Sequence, residues 1–306
     1  MKLLSTPAER FTALPDYAFE PKYASIALSP AGSGEPLLAR MHYVDEGPTR
    51  ARVVLLLHGE ASWSFLYRST IRRLAQAGSR VIAPDLLGFG RSDKPSAPAD
   101  YSYQGHIAWL RAFVDALALD DVTLVAHDWG GLIGLRLLAE RPSLFRRVAL
   151  CNTTLPTGAR PPPSAFLEFR RWLADANAVS ASAIVASACH KPLSEAVRAA
   201  YDAPFPTPAS QAGLRSFPAL VPTAMDDSES EYNRQAWQVL AGYERPFLTV
   251  FGGRDPFTAG AERAFQRRVP GAREQPHRVV ADAGHFLQED EPEALNEALL
   301  AFVREP

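Results

Sequence analysis

Short, continuous apolar runs alternate with longer segments of helical periodicity through the first half of the chain. The clearest run is Val53–Leu57, which contains only Val and Leu and ends at His58-Gly59. Such a run is typical of a strand buried on both faces of a parallel sheet. Similar runs lie at Val81–Ala83, Val122–Ala126 and Val148–Leu150, with helical segments at Ile71–Ala77, His106–Leu117 and Leu132–Glu140. This alternation predicts an α/β fold with a mostly parallel sheet flanked by helices, and Tyr23–Leu28 with Leu38–Val44 predict an antiparallel pair at its edge.

The alternation breaks in the middle of the chain. From about Leu155 to about Met225 the sequence is rich in Ala and Pro and predicts helices without a strand. Strands resume at Phe247–Phe251 and Arg278–Ala281. We therefore predict one α/β domain that carries a helical insertion. Its parts are the first part of the core at residues 1–154, a helical cap at 155–228 and the second part of the core at 229–306.

Charge and composition limit the possible partners. Lys and Arg together number 32 against 34 Asp and Glu, for a net charge of −2. The basic residues are scattered, which argues against a nucleic-acid partner because phosphate binding needs a concentrated basic surface. Cys151 and Cys189 are too few for a disulfide framework, no apolar run has the ~18–20 residues of a membrane helix, and Met1–Pro7 lacks the features of a signal peptide. We expect a cytoplasmic protein, with no membrane partner, that is a monomer or a weak homo-oligomer.

Polar residues follow the predicted strands, at the sheet edge where parallel sheets bind ligands. The segment Val125–Gly131 has the layout of a nucleophile elbow, a sharp strand-to-helix turn that raises one side chain above the sheet. Such a turn needs small residues two positions before and two positions after the nucleophile, and Ala126 and Gly130 meet this need. The nucleophile position holds Asp128. A carboxylate there can displace a leaving group from saturated carbon and form an ester with the enzyme.

Two further strand ends carry the partners that such an ester would require. His285 follows the last predicted strand, where it would activate water, and Asp255 follows the preceding strand, where it would orient the imidazole. The chain order of nucleophile, acid and base matches the order of this fold class. The structural alternative is that Asp255 caps a helix and His285 packs in a loop. All three residues fall at strand ends, which favours the catalytic interpretation.

Motifs spread over nearly the whole chain resemble those of one known family. They lie at Thr6–Tyr17, His42–Gly47, His58–Arg68, Pro84–Pro95, Asp128–Gly131 and Ala200–Pro218. With these motifs the sequence resembles the α/β-hydrolase superfamily and, within it, the haloalkane dehalogenases. The resemblance implies an α/β-hydrolase fold with an inserted helical cap, in the subfamily whose catalytic acid follows the seventh strand, where Asp255 lies. Asn152 occupies the place where another subfamily carries its acid.

The resemblance also implies a set of donors. The backbone N–H groups of Glu60 and Trp129 would form the oxyanion hole, and Trp129 would bind the halide together with a second donor on the cap. The family's cap tryptophan falls at Phe169, which has no donor. Trp172, three residues further on, either supplies that donor with a shifted geometry or is a packing residue, in which case the donor is missing. Phe166 and Phe169 are expected in the substrate pocket. Ala61 stands where the family usually has Pro. A proline would stiffen this loop, so we expect the donors of the oxyanion hole to be held less rigidly in this chain.

The function implied by the resemblance is hydrolytic dehalogenation of a small, uncharged haloalkane. Asp128 would form a covalent alkyl ester, which water activated by His285 would cleave to an alcohol and a halide ion. No cofactor or metal motif is found, and Gly88-x-Gly90 lacks the pattern of a dinucleotide site. Two alternatives stay open. One is an epoxide hydrolase with the same triad, because the elbow motif is shared with that family, and the other is a non-catalytic ligand-binding relative.

Overall fold

Eight strands form the central sheet of the structure, a computed structural model that describes residues 1–28, 37–176 and 179–304. The strands are β1 (Lys22–Leu28), β2 (Leu37–Glu46), β3 (Val53–Leu57), β4 (Arg80–Pro84), β5 (Val122–His127), β6 (Phe145–Cys151), β7 (Phe247–Gly252) and β8 (Arg278–Val280). The helices are α1 (Arg68–Gln76), α2 (Tyr103–Ala116), α3 (Trp129–Glu140), α4 (Ser164–Asp175), α5 (Ala181–Ala188), α6 (Glu195–Asp202), α7 (Ala212–Leu220), α8 (Ser228–Leu240), α9 (Glu262–Arg268), α10 (Leu287–Asp290) and α11 (Pro292–Arg304). A two-stranded antiparallel sheet joins Leu3–Leu4 to Lys94–Pro95.

The strand order places the ends of β3 and β5 side by side at the centre of the sheet. The order is β8-β7-β6-β5-β3-β4-β2-β1, parallel from β8 to β4 and antiparallel at β2 and β1. From β3 the chain runs outward to β4 on one side and later returns to β5 on the other side. Ligands bind at the carboxyl ends of strands at such a reversal of strand order. The predicted fold class and the antiparallel edge pair are confirmed.

Strands were predicted more closely than helices. The apolar run Val53–Leu57 coincides with β3, and the other predicted runs lie within or overlap their strands. The helices α1, α2 and α3 each begin three residues before the predicted start. Their first turns contribute little to the apolar period. The start of α2, for example, is set by Ser102, whose hydroxyl accepts a hydrogen bond from the Gly105 N–H.

Among the described residues, five helices, α4 to α8, and no strand lie between β6 and β7. Because β6 pairs directly with β7, the sheet continues across the insertion. The helix α8 packs against α3 of the core. The division at residues 154 and 228 stays a prediction, although the helices fall where it expects them.

The core fills both faces of the sheet. Every residue of β3, β5 and β7 is buried, as expected for strands with helices on both sides. Among the described residues, no helix is both long and apolar enough to cross a membrane.

Candidate active site

The turn between β5 and α3 raises Asp128 above the sheet. Asp128 has φ of 50° and ψ of −123°, a left-handed conformation held by hydrogen bonds from its N–H to the Asn152 carbonyl (3.2 Å) and from the Thr153 hydroxyl to its own carbonyl (2.7 Å). A Cβ at Gly130 would lie 2.3 Å from the Leu57 carbonyl oxygen, so only glycine fits there. The strained turn therefore depends on close backbone contact with β3.

The structure brings the predicted triad together. His285 Nε2 lies 3.6 Å from Asp128 Oδ2, and its Nδ1 lies 3.0 Å from Asp255 Oδ2. Asp255 also accepts hydrogen bonds from Asn152 Nδ2 (2.8 Å), the Phe257 N–H (2.8 Å) and the Thr258 hydroxyl. These contacts fix the acid on one side of the imidazole and leave Nε2 facing the carboxylate of Asp128.

The electrostatics of the triad favour a charged pair on each side of His285. Burial alone would lower the pKa of His285, but the charges of Asp255 and Asp128 raise it to about 10. Burial would raise the pKa of Asp255, whereas His285 and the hydrogen bonds from Asn152 and Thr258 hold it below its usual range. Asp128 behaves similarly, because its contact with His285 outweighs burial and lowers its pKa. The two carboxylates therefore favour the protonated form of His285, and His285 favours the ionised form of both carboxyl groups.

One of the two predicted oxyanion donors contacts Asp128 directly. The Glu60 N–H donates to Asp128 Oδ1 over 2.7 Å. The Trp129 N–H belongs to the first residue of α3 and makes no hydrogen bond within the described part of the chain. Ala61 has φ of 56°, which proline, restricted to about −65°, cannot adopt. The backbone conformation at position 61 therefore excludes proline. In this conformation the Glu60 N–H still donates a hydrogen bond to the Asp128 carboxylate.

A cavity of about 620 Å³ opens above Asp128. Glu60, Asp128, Trp129 and His285 border it, together with apolar walls formed by Leu132, Phe166, Phe169, Ile184, Val221 and Phe257. The exposed side chains of Arg267 and Arg268 line it as well and mark where it reaches the surface.

Trp129 is packed between two aromatic rings. The ring centroid of Tyr103 lies 5.1 Å from that of Trp129, and the ring of Phe217 stacks on Trp129 at 4.5 Å. Its indole N–H makes no hydrogen bond within the described ranges.

Comparison with known proteins identifies the family. A family model described as the alpha/beta hydrolase fold matches residues 52–292. A haloalkane dehalogenase of Psychrobacter cryohalolentis is 47% identical over 305 residues, which cover 100% of this chain and 99% of that protein. The chain belongs to the haloalkane dehalogenase family. A haloalkane dehalogenase of Mycolicibacterium paratuberculosis is 46% identical over 302 residues, covering 99% of this chain and 98% of that protein.

A solved structure of the same family has the same architecture throughout. The structure of a tetrameric haloalkane dehalogenase from Paraglaciecola agarilytica matches with a TM-score of 0.88 at 32% identity. The match covers 100% of both chains. The whole chain, including the helices between β6 and β7, therefore follows the fold of a haloalkane dehalogenase.

The structure does not bring Trp172 to the site of this haloalkane dehalogenase. Its side chain is 49% exposed, and it is absent from the described residues that line the cavity. It stacks on the outer side of Phe169, with ring centroids 6.1 Å apart. Each three-residue step along a helix rotates the side chain by about 60°, so Phe166 and Phe169 face the cavity while Trp172 has turned away. Leu173 takes the inward position and is 1% exposed.

Asn152 contacts the predicted acid, a contact that the sequence indicated only by the place of Asn152 after β6. Its amide Nδ2 donates to Asp255 Oδ2, and its Oδ1 accepts from the Gly252 N–H over 3.0 Å. It thus joins the end of β7 to the acid that follows that strand. The strand-end position was the signal, but the contact with Asp255 depends on two neighbouring strands pairing in this register.

The loop that carries His285 is held by groups that the sequence reasoning missed. His127 Nε2 donates to the His285 carbonyl over 2.9 Å, and the His285 N–H donates to the Ala188 carbonyl over 2.8 Å. The Gly284 N–H donates to Asp290 Oδ2 over 2.7 Å. Ala188 ends α5, so the helical insertion itself helps to hold the loop that carries His285. No local pattern in the sequence predicts a contact between segments so far apart.

Proposed function

We propose that the chain hydrolyses small, uncharged haloalkanes to an alcohol and a halide ion through a covalent alkyl ester on Asp128. The observation that supports this most is the environment of the Asp128 carboxylate. Its Oδ1 accepts the Glu60 N–H and its Oδ2 faces His285, beneath a cavity with mostly apolar walls. An apolar cavity suits an uncharged substrate and excludes the water that would weaken the nucleophile.

In the first step Asp128 Oδ2 attacks the carbon that bears the halogen. A carbon–oxygen bond forms, the carbon–halogen bond breaks, and the halide leaves with the bonding electron pair. The Glu60 N–H holds Oδ1 and thereby orients the carboxylate for attack. The indole N–H of Trp129, next to the nucleophile, donates to the departing halide, because an indole is a donor without acceptor capacity.

In the second step His285 Nε2 takes a proton from water, and the resulting hydroxide attacks the carboxyl carbon of Asp128. Negative charge then develops on Oδ1, where the N–H groups of Glu60 and Trp129 stabilise it. Removing one such donor typically costs roughly 3–4 kcal/mol of barrier. The acyl carbon–oxygen bond breaks and His285 returns the proton to the alcohol. The carboxylic acid left on Asp128 then passes its own proton to His285, which regenerates the carboxylate and the imidazolium.

The first step itself prepares His285 to act as a base. Asp128 is one of the two charges that raise the pKa of His285. Alkylation converts that carboxylate into a neutral ester, so the pKa of the imidazolium falls and its proton passes to solvent. The neutral imidazole can then accept a proton from water, and one proton is released in each turnover.

The epoxide-hydrolase alternative is disfavoured by the position of the tyrosines. Opening an epoxide requires acidic donors over the nucleophile, and the residues described as lining the cavity include no tyrosine. Tyr201, in α6, is buried and donates its hydroxyl to Glu289 instead. Tyr232, in α8, is 46% exposed and packs beside Arg136.

The proposed function predicts halide release with a specific path for oxygen. With a bromoalkane as substrate, we expect bromide and alcohol in equal amounts and no diol from the matching epoxide. In a single turnover in ¹⁸O-labelled water, the alcohol should carry unlabelled oxygen, because that oxygen comes from Asp128. Peptide mass spectrometry should find the label on Asp128. Label in the first alcohol formed would contradict the ester intermediate, and epoxide opening without bromide release would favour the alternative.

The position of Trp172 predicts that it takes no part in halide binding. In Trp172→Phe, the saturable quenching of tryptophan fluorescence by bromide should give the wild-type affinity within about twofold. Trp129→Phe, which keeps the ring but removes the N–H, should lose that saturable quenching. If Trp172→Phe abolishes the saturable quenching while Trp129→Phe retains it, Trp172 binds the halide and the prediction is wrong.

A further inference from the structure

Asp290 is a buried carboxylate that joins the helical insertion to the loop that carries His285. It is the last residue of α10 and is 1% exposed. From the loop, the Gly284 N–H donates to Asp290 Oδ2 over 2.7 Å. From the segment after α5, the Lys191 N–H donates to Oδ1 over 2.7 Å, and the His190 N–H lies 2.9 Å from both oxygens. Three main-chain N–H groups from two distant segments therefore share one carboxylate.

The two segments are also in direct contact with each other. The His285 N–H donates to the Ala188 carbonyl over 2.8 Å, and a Cβ at Gly284 would lie 2.3 Å from that carbonyl oxygen. Only glycine fits at position 284, so the main chain of the insertion lies directly against the residue before His285. A carboxylate accepts strong hydrogen bonds from N–H groups, and a buried donor left without an acceptor is costly. The contacts of Asp290 thus fix the main chain on both sides of this junction.

Asp290 reaches the chemistry only through His285. It is not among the described residues that line the cavity, and the hydrogen bonds of its carboxylate in the described part of the chain come from main-chain N–H groups. Gly284, which it holds, directly precedes His285, whose Nε2 lies 3.6 Å from Asp128 Oδ2. A shift of about 1 Å in a reacting group can cost about 10²-fold in rate. The geometry of the junction therefore bears on the step in which His285 acts.

We propose that Asp290 is the positioning residue for the base. By holding the end of α5 and Gly284 together, it sets the distance of His285 from the ester on Asp128. The inference rests on the proposed function and deepens it. Alkylation of Asp128 needs no base, whereas hydrolysis of the ester does, so loss of Asp290 should slow the second step and leave the first unchanged. A purely structural residue would lower the amount of active enzyme without changing the ratio of the two rates.

Asp290→Asn tests this role, because it keeps the size of the side chain and removes one acceptor oxygen. Both oxygens of Asp290 accept N–H groups, so the amide nitrogen of Asn faces a donor in either orientation. In single turnovers of the whole enzyme with a bromoalkane, quenched at set times, intact mass follows the alkyl group on Asp128. We expect the ester to form within about twofold of the wild-type rate and to decay roughly 10- to 100-fold more slowly. Both rates are taken per active site, counted from the amplitude of bromide release.

Gly284→Ala disturbs the same junction from the other segment, because its Cβ would meet the Ala188 carbonyl. It should also slow the decay of the ester and leave its formation unchanged, and it decides the matter if Asp290→Asn does not fold. In the double variant the ester should decay at most about threefold more slowly than in the slower single variant, since changes at one junction are not additive.

Glu291→Gln is the matched control. Glu291 follows Asp290 and pairs with Lys191 Nζ over 2.6 Å, so it crosses the same junction through partly exposed side chains. Its two rates should stay within about twofold of wild type, because exposed ion pairs contribute little.

Three results would overturn the proposal. They are equal slowing of ester formation and decay in Asp290→Asn, wild-type rates for both steps in that variant, and an equally slow decay in Glu291→Gln. In each of them wild type still forms and hydrolyses the ester, so this inference fails alone. If wild type itself formed no ester and released no bromide, the proposed function would fail and this inference with it.

Discussion

Replacing His285 with Phe is expected to stop the reaction at the covalent ester, with the alkyl group retained on Asp128. The first step needs only Asp128 and the halide donors, whereas the second needs a base at the position of His285 Nε2. A phenyl ring keeps the contact with Phe257, whose ring centroid lies 5.3 Å from that of His285, but cannot accept a proton. Turnover should fall by at least roughly 10²- to 10⁴-fold. Intact mass after incubation with a bromoalkane should increase by one alkyl group.

The control for this experiment is the double variant that also carries Asp128→Asn. An amide has no anionic oxygen, so this protein should show no mass increase after the same incubation. Peptide mapping of His285→Phe should place the alkyl group on Asp128. If a bromoalkane that wild type turns over leaves no adduct on His285→Phe, the assignment of nucleophile or base is wrong.

Replacing Asp255 with Ala should produce a burst of about one halide per enzyme followed by slow turnover. Asp255 Oδ2 contacts His285 Nδ1 over 3.0 Å and so holds Nε2 towards the ester. Loss of the equivalent acid in other triads costs about 10⁴-fold in kcat. Asp255 also raises the pKa of His285, so its removal lowers that pKa. The imidazole then stays neutral to lower pH, and the acid limb of the residual ester hydrolysis should shift downward in pH.

Asp282→Ala is the matched control for loss of a carboxylate in the same region. Asp282 pairs with Arg254 over 3.2 Å, and both side chains are more than half exposed. Exposed pairs of this kind contribute about 0–1 kcal/mol, so both the rate and its pH profile should stay as in wild type. Equal loss of ester hydrolysis in the two variants would argue against a specific role for Asp255.

The strands and the triad were predictable because both depend on short-range patterns. A run such as Val53–Leu57 is buried on both faces wherever it lies in a parallel sheet, and the residue after such a strand reaches the sheet edge. Asp128, Asp255 and His285 were therefore predicted from their places at strand ends, together with the elbow layout around Asp128 and the chain order of the three residues. The helix starts were less predictable, because a first turn such as that of α2 depends on a capping hydroxyl rather than on apolar spacing.

Trp172 illustrates the limit of reasoning from a helix in isolation. The sequence places Phe169 and Trp172 on one apolar side of α4, within about 60° of each other. Which of them enters the cavity depends on how α4 sits against the core, and that is decided by packing partners such as Phe257. A difference of less than one helical turn thus separates a side chain that lines the cavity from an exposed ring.

The sequence by itself determined the fold class and the strands and predicted the three residues of the proposed triad, because these follow from apolar periodicity and from chain position relative to strand ends. The tertiary structure alone decided the link from Asn152 to Asp255, the outward position of Trp172 and the contacts of the buried Asp290 with the insertion. Each of these depends on groups distant in the chain. Burial and ionisation arise from everything that surrounds a side chain, and only the folded arrangement assembles those surroundings.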